Sequence, residues 1–235
     1  MIVTRLALLS DLIVLNNSHT ALKEDRKKYN AFVETLDMKF SFYIDQHPDD
    51  KEVFLLWCVF TTLEFHIEDG IVRLCRRWWD QTRDPLAVIF HCFIVEEFRS
   101  GISDALFEQL QDFCEHPDGF IRSMSLLYMG LYCRANTRDS DETSLGYLRE
   151  SVAVYSCNVR RYFEIAEIFT ERKQLHNAAL NYKSAITRIE TLYTEDDRQN
   201  LYSGIRYLKE MILWCHCTPQ KVQVLKERLK KVSPL

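Results

Sequence analysis

One cluster of side chains in the central part of the chain has residue types that could bind a metal ion. Glu64, His66 and Glu68 place two carboxylates and an imidazole within about one helical turn. Glu64 and Glu68 share a helix face, but His66 points away from both, since residues two apart do not face each other on a helix. Neither helical metal-site spacing, HExxH or ExxH, is present. We therefore favour a solvated cluster. A metal site or an enzyme active site at these residues is the alternative.

Cysteine offers a second route to chemistry. The chain has eight cysteines and no CxxC pair, and the densest set is Cys215-His216-Cys217. Neighbouring helical residues face different directions, so buried thiols explain this set better than a zinc site does. No cysteine and histidine stand out as a nucleophile and its base. The sequence therefore predicts no catalytic residue, no cofactor, no metal and eight free thiols, which is typical of a reducing cytoplasm.

A third cluster is basic and aromatic, a mixture that can bind phosphates or stack on bases. Its residues are Arg73, Arg76, Arg77, Trp78, Trp79 and Arg83. The whole chain, however, has a net charge of -4 and a pI near 6.0, whereas a polyanion-binding domain normally has a basic excess. We expect Trp78 to continue a buried stripe while the arginines form its solvated edge or pair with acids. No nucleic-acid partner is predicted.

The elements that position these groups are predicted to be helices throughout. Apolar residues recur at helical spacing, no segment alternates with period two, and glycine and proline are scarce, 6 and 5 in 235. Gly70 is expected to kink or break the third helix. The predicted helices span about 2–16, 20–45, 49–80, 85–99, 103–115, 118–134, 142–157, 159–172, 175–193, 198–216 and 219–232.

The apolar stretches are short, which bears on localisation. The run from Leu6 to Leu9 is too brief for a signal-peptide core, and residues 53–65 fall below the roughly 20 apolar residues of a membrane span. We expect a single cytoplasmic domain over residues 1–235 with no membrane partner. The polar segment 135–143 is predicted to be a loop that joins a front part, 1–134, to a back part, 142–235.

Residues 159–192 resemble a tetratricopeptide repeat. The matching residues are Tyr162, Ile165, Ala166, Phe169, Ala178, Tyr182 and Ala185. Ala166 and Ala178 are small where two helices must approach closely, and Phe169 and Tyr182 fill the space between successive helices. The second helix is predicted to bury Leu175, Ala178, Ala179, Tyr182, Ala185, Ile186 and Ile189. The chain departs from the family at Glu190, where a proline usually stands.

Two further segments resemble repeat architecture less fully. One repeat earlier, the tetratricopeptide register gives Ser144, Leu148 and Ser151. Residues 102–134 are similar to a HEAT hairpin, with Asp118 near the turn, then Ile121-Arg122 and Met129-Gly130. A single repeat cannot bury its own apolar faces, so flanking helices must continue or cap the stack. The resemblances imply stacked antiparallel helical hairpins, either an α-solenoid or a compact helical-repeat bundle, in which the amphipathic segment 219–232 is a cap.

Helical repeats of these families bind other proteins, and the resemblance implies the same here. If Ala166 lies at the close-packed position, one face of its helix presents Arg160, Phe163, Glu164, Glu167, Thr170 and Glu171. This face is mainly acidic, so we expect a basic or amphipathic segment of a protein partner anchored on Phe163. The sequence predicts a non-catalytic protein-interaction module, an adaptor, regulator or inhibitor. An immunity-type protein that neutralises a toxin by direct binding is the alternative.

Overall fold

A computed structural model describes residues 3–64, 68–98, 100–136, 141–155, 159–192 and 219–233. Within these ranges the chain forms eleven α-helices and no strand, which confirms the all-α fold of packed helical hairpins. The helices are α1 (Arg5–Glu24), α2 (Arg26–Gln46), α3 (Lys51–Glu64), α4 (Glu68–Thr82), α5 (Pro85–Glu97), α6 (Asp104–Gln111), α7 (Gly119–Asn136), α8 (Asp141–Val154), α9 (Val159–Glu171), α10 (Leu175–Leu192) and α11 (Pro219–Val232).

Side-chain caps set several of the helix starts. Asp84 Oδ1 accepts the backbone N–H of Leu86 at 3.0 Å, which caps α5 directly before Pro85 at its first position. The predicted break between residues 16 and 20 is wrong, since α1 continues to Glu24. The boundary lies instead at Asp25, which caps α2 by accepting the N–H of Lys28 at 3.2 Å. A side chain that accepts a backbone N–H at this point satisfies one of the free donors at the helix start, which places the boundary at Asp25.

The predicted segment 49–80 is two helices and not one kinked helix. α3 ends at Glu64, α4 begins at Glu68, and the two helices pack against each other. Gly70 lies in the first turn of α4, where a glycine costs less helix stability than in the interior. The alternative of a break is therefore confirmed, although it precedes Gly70.

The described helices group into two compact units, divided between Ala87 and Val88 inside α5. In the first unit α1 packs on α2, α2 on α3, and α3 on α4. Its core includes Phe54 stacked on Trp78, with ring centroids 5.9 Å apart. The division does not coincide with the polar segment 135–143, and the expectation of one domain stays a prediction.

The second unit continues the pattern of neighbouring helices in contact, from α6 on α7 to α10 on α11. α7 and α8 approach each other closely at Gly130, where a Cβ would lie 3.0 Å from Leu148 Cγ. Ser144 sits beside this contact and donates a hydrogen bond to the Gly130 carbonyl at 2.8 Å. Two small residues thus bring α7 and α8 together, which a larger side chain at either position would prevent.

The hairpin of α9 and α10 uses alanines for the same purpose. Ala166, Ala178 and Ala185 are fully buried, and Tyr182 is buried beside them, as the repeat register predicts. Leu175 was predicted in the same stripe, but it is exposed. It begins α10 directly after the turn at Lys173, and the stripe becomes buried only from Ala178 onward.

The last helix, α11, has the predicted bounds and packs on α10, burying Leu225 and Val232. The helix predicted at 198–216 lies outside the described residues. Among the helices within the described ranges, none has the length and apolar character that crossing a bilayer requires.

Candidate protein-interaction site

The six residues predicted to bind a partner all belong to α9, and we call them the acidic face. They are Arg160, Phe163, Glu164, Glu167, Thr170 and Glu171. Side chains from α5, α7, α10 and α11 contact this face within the second unit. How much of it is open to a partner depends on these contacts.

Glu164 lies at the centre of an ion-pair network and is only 5% exposed. Its carboxylate accepts from Arg134 of α7 at 2.7 Å and from Arg160 at 2.5 Å. Arg134 also donates to Glu171 at 2.7 Å, and Arg160 lies 3.7 Å from Glu96 of α5. The expectation that Glu164 is exposed to a partner is therefore wrong, because arginines of the same chain cover it.

Glu96 forms the α5 end of this network. Burial raises the pKa of the Glu96 carboxyl above its usual value, while nearby Arg160 lowers it and Glu164 raises it further. The carboxyl therefore takes up a proton at a higher pH than an exposed glutamate does.

The other end of the acidic face is covered by α11. Glu167 accepts a hydrogen bond from the Tyr182 hydroxyl and pairs with Arg228 of α11. The Arg228 guanidinium also lies over the Phe163 ring, 5.4 Å from its centroid, so the proposed anchor is partly covered. Thr170 donates to a carbonyl of its own helix at 2.8 Å. Binding through this face stays a prediction, but most of its polar groups are engaged within the chain.

A different side of α9 forms the floor of a groove between α8 and α10, with a volume of about 330 Å³. We call it the α8–α10 groove. Its floor residues are Tyr162, Ile165 and Phe169, and its walls are Arg149, Val152, Asn177, Leu180 and Asn181. Ile165 and Phe169 are buried, while Leu180 is 51% exposed, so an apolar floor has an open, partly apolar wall.

Arg149 differs from neighbouring arginines of the second unit. Arg122 donates to Glu150 at 2.9 Å and Arg172 to Asp141 at 3.1 Å. Arg149 makes no ion pair with any residue in the described ranges, and its guanidinium lies over the Phe169 ring at 5.7 Å. The groove therefore holds a cation whose charge is not neutralised by the described residues.

The basic and aromatic cluster of the first unit is divided between buried and exposed side chains. Trp78 is fully buried, which confirms that it continues the core stripe. Arg77 pairs with Asp45, and the Arg83 guanidinium lies 5.3 Å from the centroid of the Trp79 ring. Arg73 and Arg76 are exposed, so the cluster is divided between core, ion pair, cation–π contact and solvated arginines.

A second cavity, of about 460 Å³, lies within the first unit. Its lining residues are Asp37, Trp57, Thr61, Gly70, Arg73, Leu74 and Arg77. The indole N–H of Trp57 donates to Asp37 at 2.6 Å, so this carboxylate is already engaged. The wall contains a carboxylate and two guanidinium groups, so the cavity favours neither an anionic nor a cationic ligand.

The residues weighed above as an alternative metal site or zinc site fall mostly outside the described residues. His66 and the side chains of Glu64 and Glu68 lie outside the described residues, as does the set at 215–217. Of the residues that are described, no three histidines, cysteines or acids lie close enough together to bind a metal ion.

The described cysteines form no disulfide with one another; they are Cys58, Cys75, Cys92, Cys114 and Cys133. Burial raises the thiol pKa of Cys58, Cys114 and Cys133 above the ordinary value. A cysteine nucleophile requires the opposite shift, since the thiolate is the reactive form. Cys58 and Cys133 are buried, and Cys114 is half-buried.

Comparison with known proteins supplies no family. A scan against protein-family models found no match, and searches of curated proteins and of solved structures found no similar protein. The tetratricopeptide and HEAT resemblances therefore depend on the residues named above and stay predictions.

The α8–α10 groove is the feature that sequence reasoning missed. Its one sequence signal is Leu180, an apolar residue of α10 that lies outside the buried stripe of Ala178, Tyr182 and Ala185. Periodicity identifies such a residue, but it does not show that α8 supplies the opposite wall.

Proposed function

We propose that the chain is a non-catalytic protein-binding module, an adaptor, regulator or inhibitor, and that the α8–α10 groove receives part of its partner. The acidic face is the second candidate surface, and most of its polar groups already have partners within the chain.

The observation that carries the proposal is the composition of the groove. A buried apolar floor with polar and charged residues at its edge is the arrangement of a protein-interface core and its rim. Arg149 and Tyr162 belong to the residue types enriched among interface hot spots. Together with the amides of Asn177 and Asn181, these groups recognise a partner through hydrogen bonds and apolar contact.

The stacking of helices gives this groove the rigidity that recognition needs. α8, α9 and α10 pack in order, and fully buried alanines, Ala166 on α9 and Ala178 on α10, leave room for α9 and α10 to pack closely. Side chains on packed helices lose little further freedom on binding, which favours affinity.

The experiment is affinity capture with the tagged full-length chain from cells that produce it, followed by calorimetric titration of each purified candidate. We expect at least one candidate to bind directly and to slow amide hydrogen exchange within residues 141–155 and 159–192. If no purified candidate binds, the proposed function is wrong. If binding protects only the first unit, the assignment to the second unit is wrong.

A further inference from the structure

We infer that the α8–α10 groove binds an extended acidic segment of the partner, with a large apolar side chain against Ile165 and Phe169 and an adjacent aspartate or glutamate on Arg149. This inference rests on the proposed function and specifies the chemistry of the partner.

The charge of the groove selects an acidic segment. Arg149 is the one charged residue among the described lining residues, and its position over the Phe169 ring orients the guanidinium without neutralising it. Lys183, one turn beyond Leu180 on α10, is exposed and makes no ion pair with a described residue. A carboxylate placed here would form charge-assisted hydrogen bonds with Arg149, whereas a basic segment would be repelled.

The apolar part of the groove selects a large side chain beside that carboxylate. Ile165 and Phe169 form a buried floor, Val152 is half-buried on one wall, and Leu180 stands exposed on the other. A leucine or phenylalanine of the partner would cover the exposed part of Leu180 and remove this apolar surface from water.

The amide side chains favour an extended backbone over a helix. Asn177 and Asn181 are four residues apart on α10, which is a rise of about 6 Å. Equivalent backbone groups of an extended chain recur every two residues, at about 6.4 to 6.8 Å, so one strand can meet both amides in turn. Asn177 Nδ2 donates to Gln174 Oε1 at 3.3 Å and Asn181 Nδ2 donates to the Asn177 carbonyl at 2.9 Å, so the two side-chain oxygens are the groups left to accept from a partner's backbone N–H. A helical segment has no free backbone groups to offer in its interior.

The test is a selection of random twelve-residue peptides, displayed on phage, against the purified full-length chain. The enriched sequences should contain an aspartate or glutamate within about two positions of a large apolar residue, the spacing that one extended strand allows. The most enriched peptide is then made with a fluorescent label, and its affinity is measured by fluorescence polarisation.

Two groove variants and two matched controls locate the binding. Arg149→Glu and Leu180→Asp should each weaken the peptide by about tenfold or more, as for hot-spot residues. Arg76→Glu changes an exposed arginine of the first unit that makes no ion pair with a described residue, and Val224→Asp changes a residue of α11 that is 48% exposed. Each control should change the affinity less than about twofold.

A charge exchange makes the assignment specific to Arg149. Replacing the acidic residues of the peptide by lysine should abolish binding to the wild type and restore part of the binding to Arg149→Glu. If Arg149→Glu does not fold, as judged by circular dichroism, then Arg149→Gln serves in its place and should weaken binding about threefold or more.

The inference fails if no peptide is enriched, if the enriched peptides are basic, or if their affinity is the same for wild type and both groove variants. A captured protein partner that binds Leu180→Asp as tightly as wild type would also overturn it. In that case the chain would still be a protein-binding module, and only the assignment of the partner to the α8–α10 groove would be wrong.

Discussion

The two sides of α9 differ in a way that their composition does not suggest. The acidic face has three glutamates, Glu164, Glu167 and Glu171, and each pairs with an arginine of the same chain. The residues of α9 that line the groove are uncharged, and the one charge in the groove is Arg149 of α8, which pairs with no described carboxylate. The side with more charge is therefore satisfied internally, while the uncharged side faces an available cation. The number of charges on a helix face is a poor guide to binding, and the pairing of those charges is a better one.

The largest expected effect is at the centre of the acidic face. Glu164→Ala removes a buried carboxylate and leaves Arg134 and Arg160 each without one ion-pair partner. We expect the free energy of unfolding to fall by about 2 to 3 kcal/mol, less than for a fully buried pair because both arginines are partly solvated. Urea denaturation at neutral pH measures the loss. Glu171→Ala, at a mostly exposed residue, should lower the free energy of unfolding by less than about 0.5 kcal/mol. Equal losses in the two variants would show that the ion pairs of Glu164 are no more buried than those of Glu171.

The next prediction concerns the hairpin that supports both sides of α9. Ala178 is fully buried against α9, so Ala178→Leu should lower the free energy of unfolding by about 1 to 3 kcal/mol through overpacking. Asn177→Leu, one residue earlier and exposed, should leave stability within about 0.5 kcal/mol and alter only the groove wall. Thermal unfolding of the two variants makes the comparison. Similar losses in both would mean that the close approach lies elsewhere.

A smaller effect is expected where α11 covers the acidic face. Glu167→Ala removes the partner of both Arg228 and the Tyr182 hydroxyl. We expect a loss of about 1 kcal/mol, since Arg228 is substantially solvated. A double-mutant cycle with Arg228→Ala should give a coupling free energy of about 0.5 to 1 kcal/mol. Strict additivity of the two single variants would contradict the ion pair between α9 and α11.

The pairing of the acidic face could not be predicted from the sequence, although much of the fold could. Local periodicity and caps identify the helices, and small residues such as Ala166 and Ala178 mark close contact because only they fit there. Arg134 and Glu164, by contrast, are 30 residues apart, and their contact depends on how α7 and α9 are rotated and stacked. The position of Arg149 in the groove wall likewise depends on how the helices are rotated and stacked. No periodicity in the sequence encodes that arrangement.

The smallest expected effect is a dependence on pH at Glu96. Burial raises the pKa of its carboxyl in the folded state above the unfolded value of about 4.3, so the folded state binds the proton more tightly. The stabilisation from this group is complete below the unfolded pKa and is lost as pH rises through the folded pKa. Relative to wild type, Glu96→Gln should therefore become more stable as pH rises from about 4 toward neutrality. A stability difference that stays constant with pH would show that burial does not perturb this carboxyl.

The central claim is that a partner binds the groove side of α9 and not the acidic face. Site-specific photo-crosslinking tests it directly, with a benzophenone amino acid placed at Leu180 in one variant and at Glu171 in another. The two positions are matched in exposure, at 51% for Leu180 and 59% for the Glu171 side chain. After illumination of each variant with the captured partner, we expect a covalent product from position 180 and none from position 171. A product from position 171 alone, or equal yields from both positions, would contradict the account.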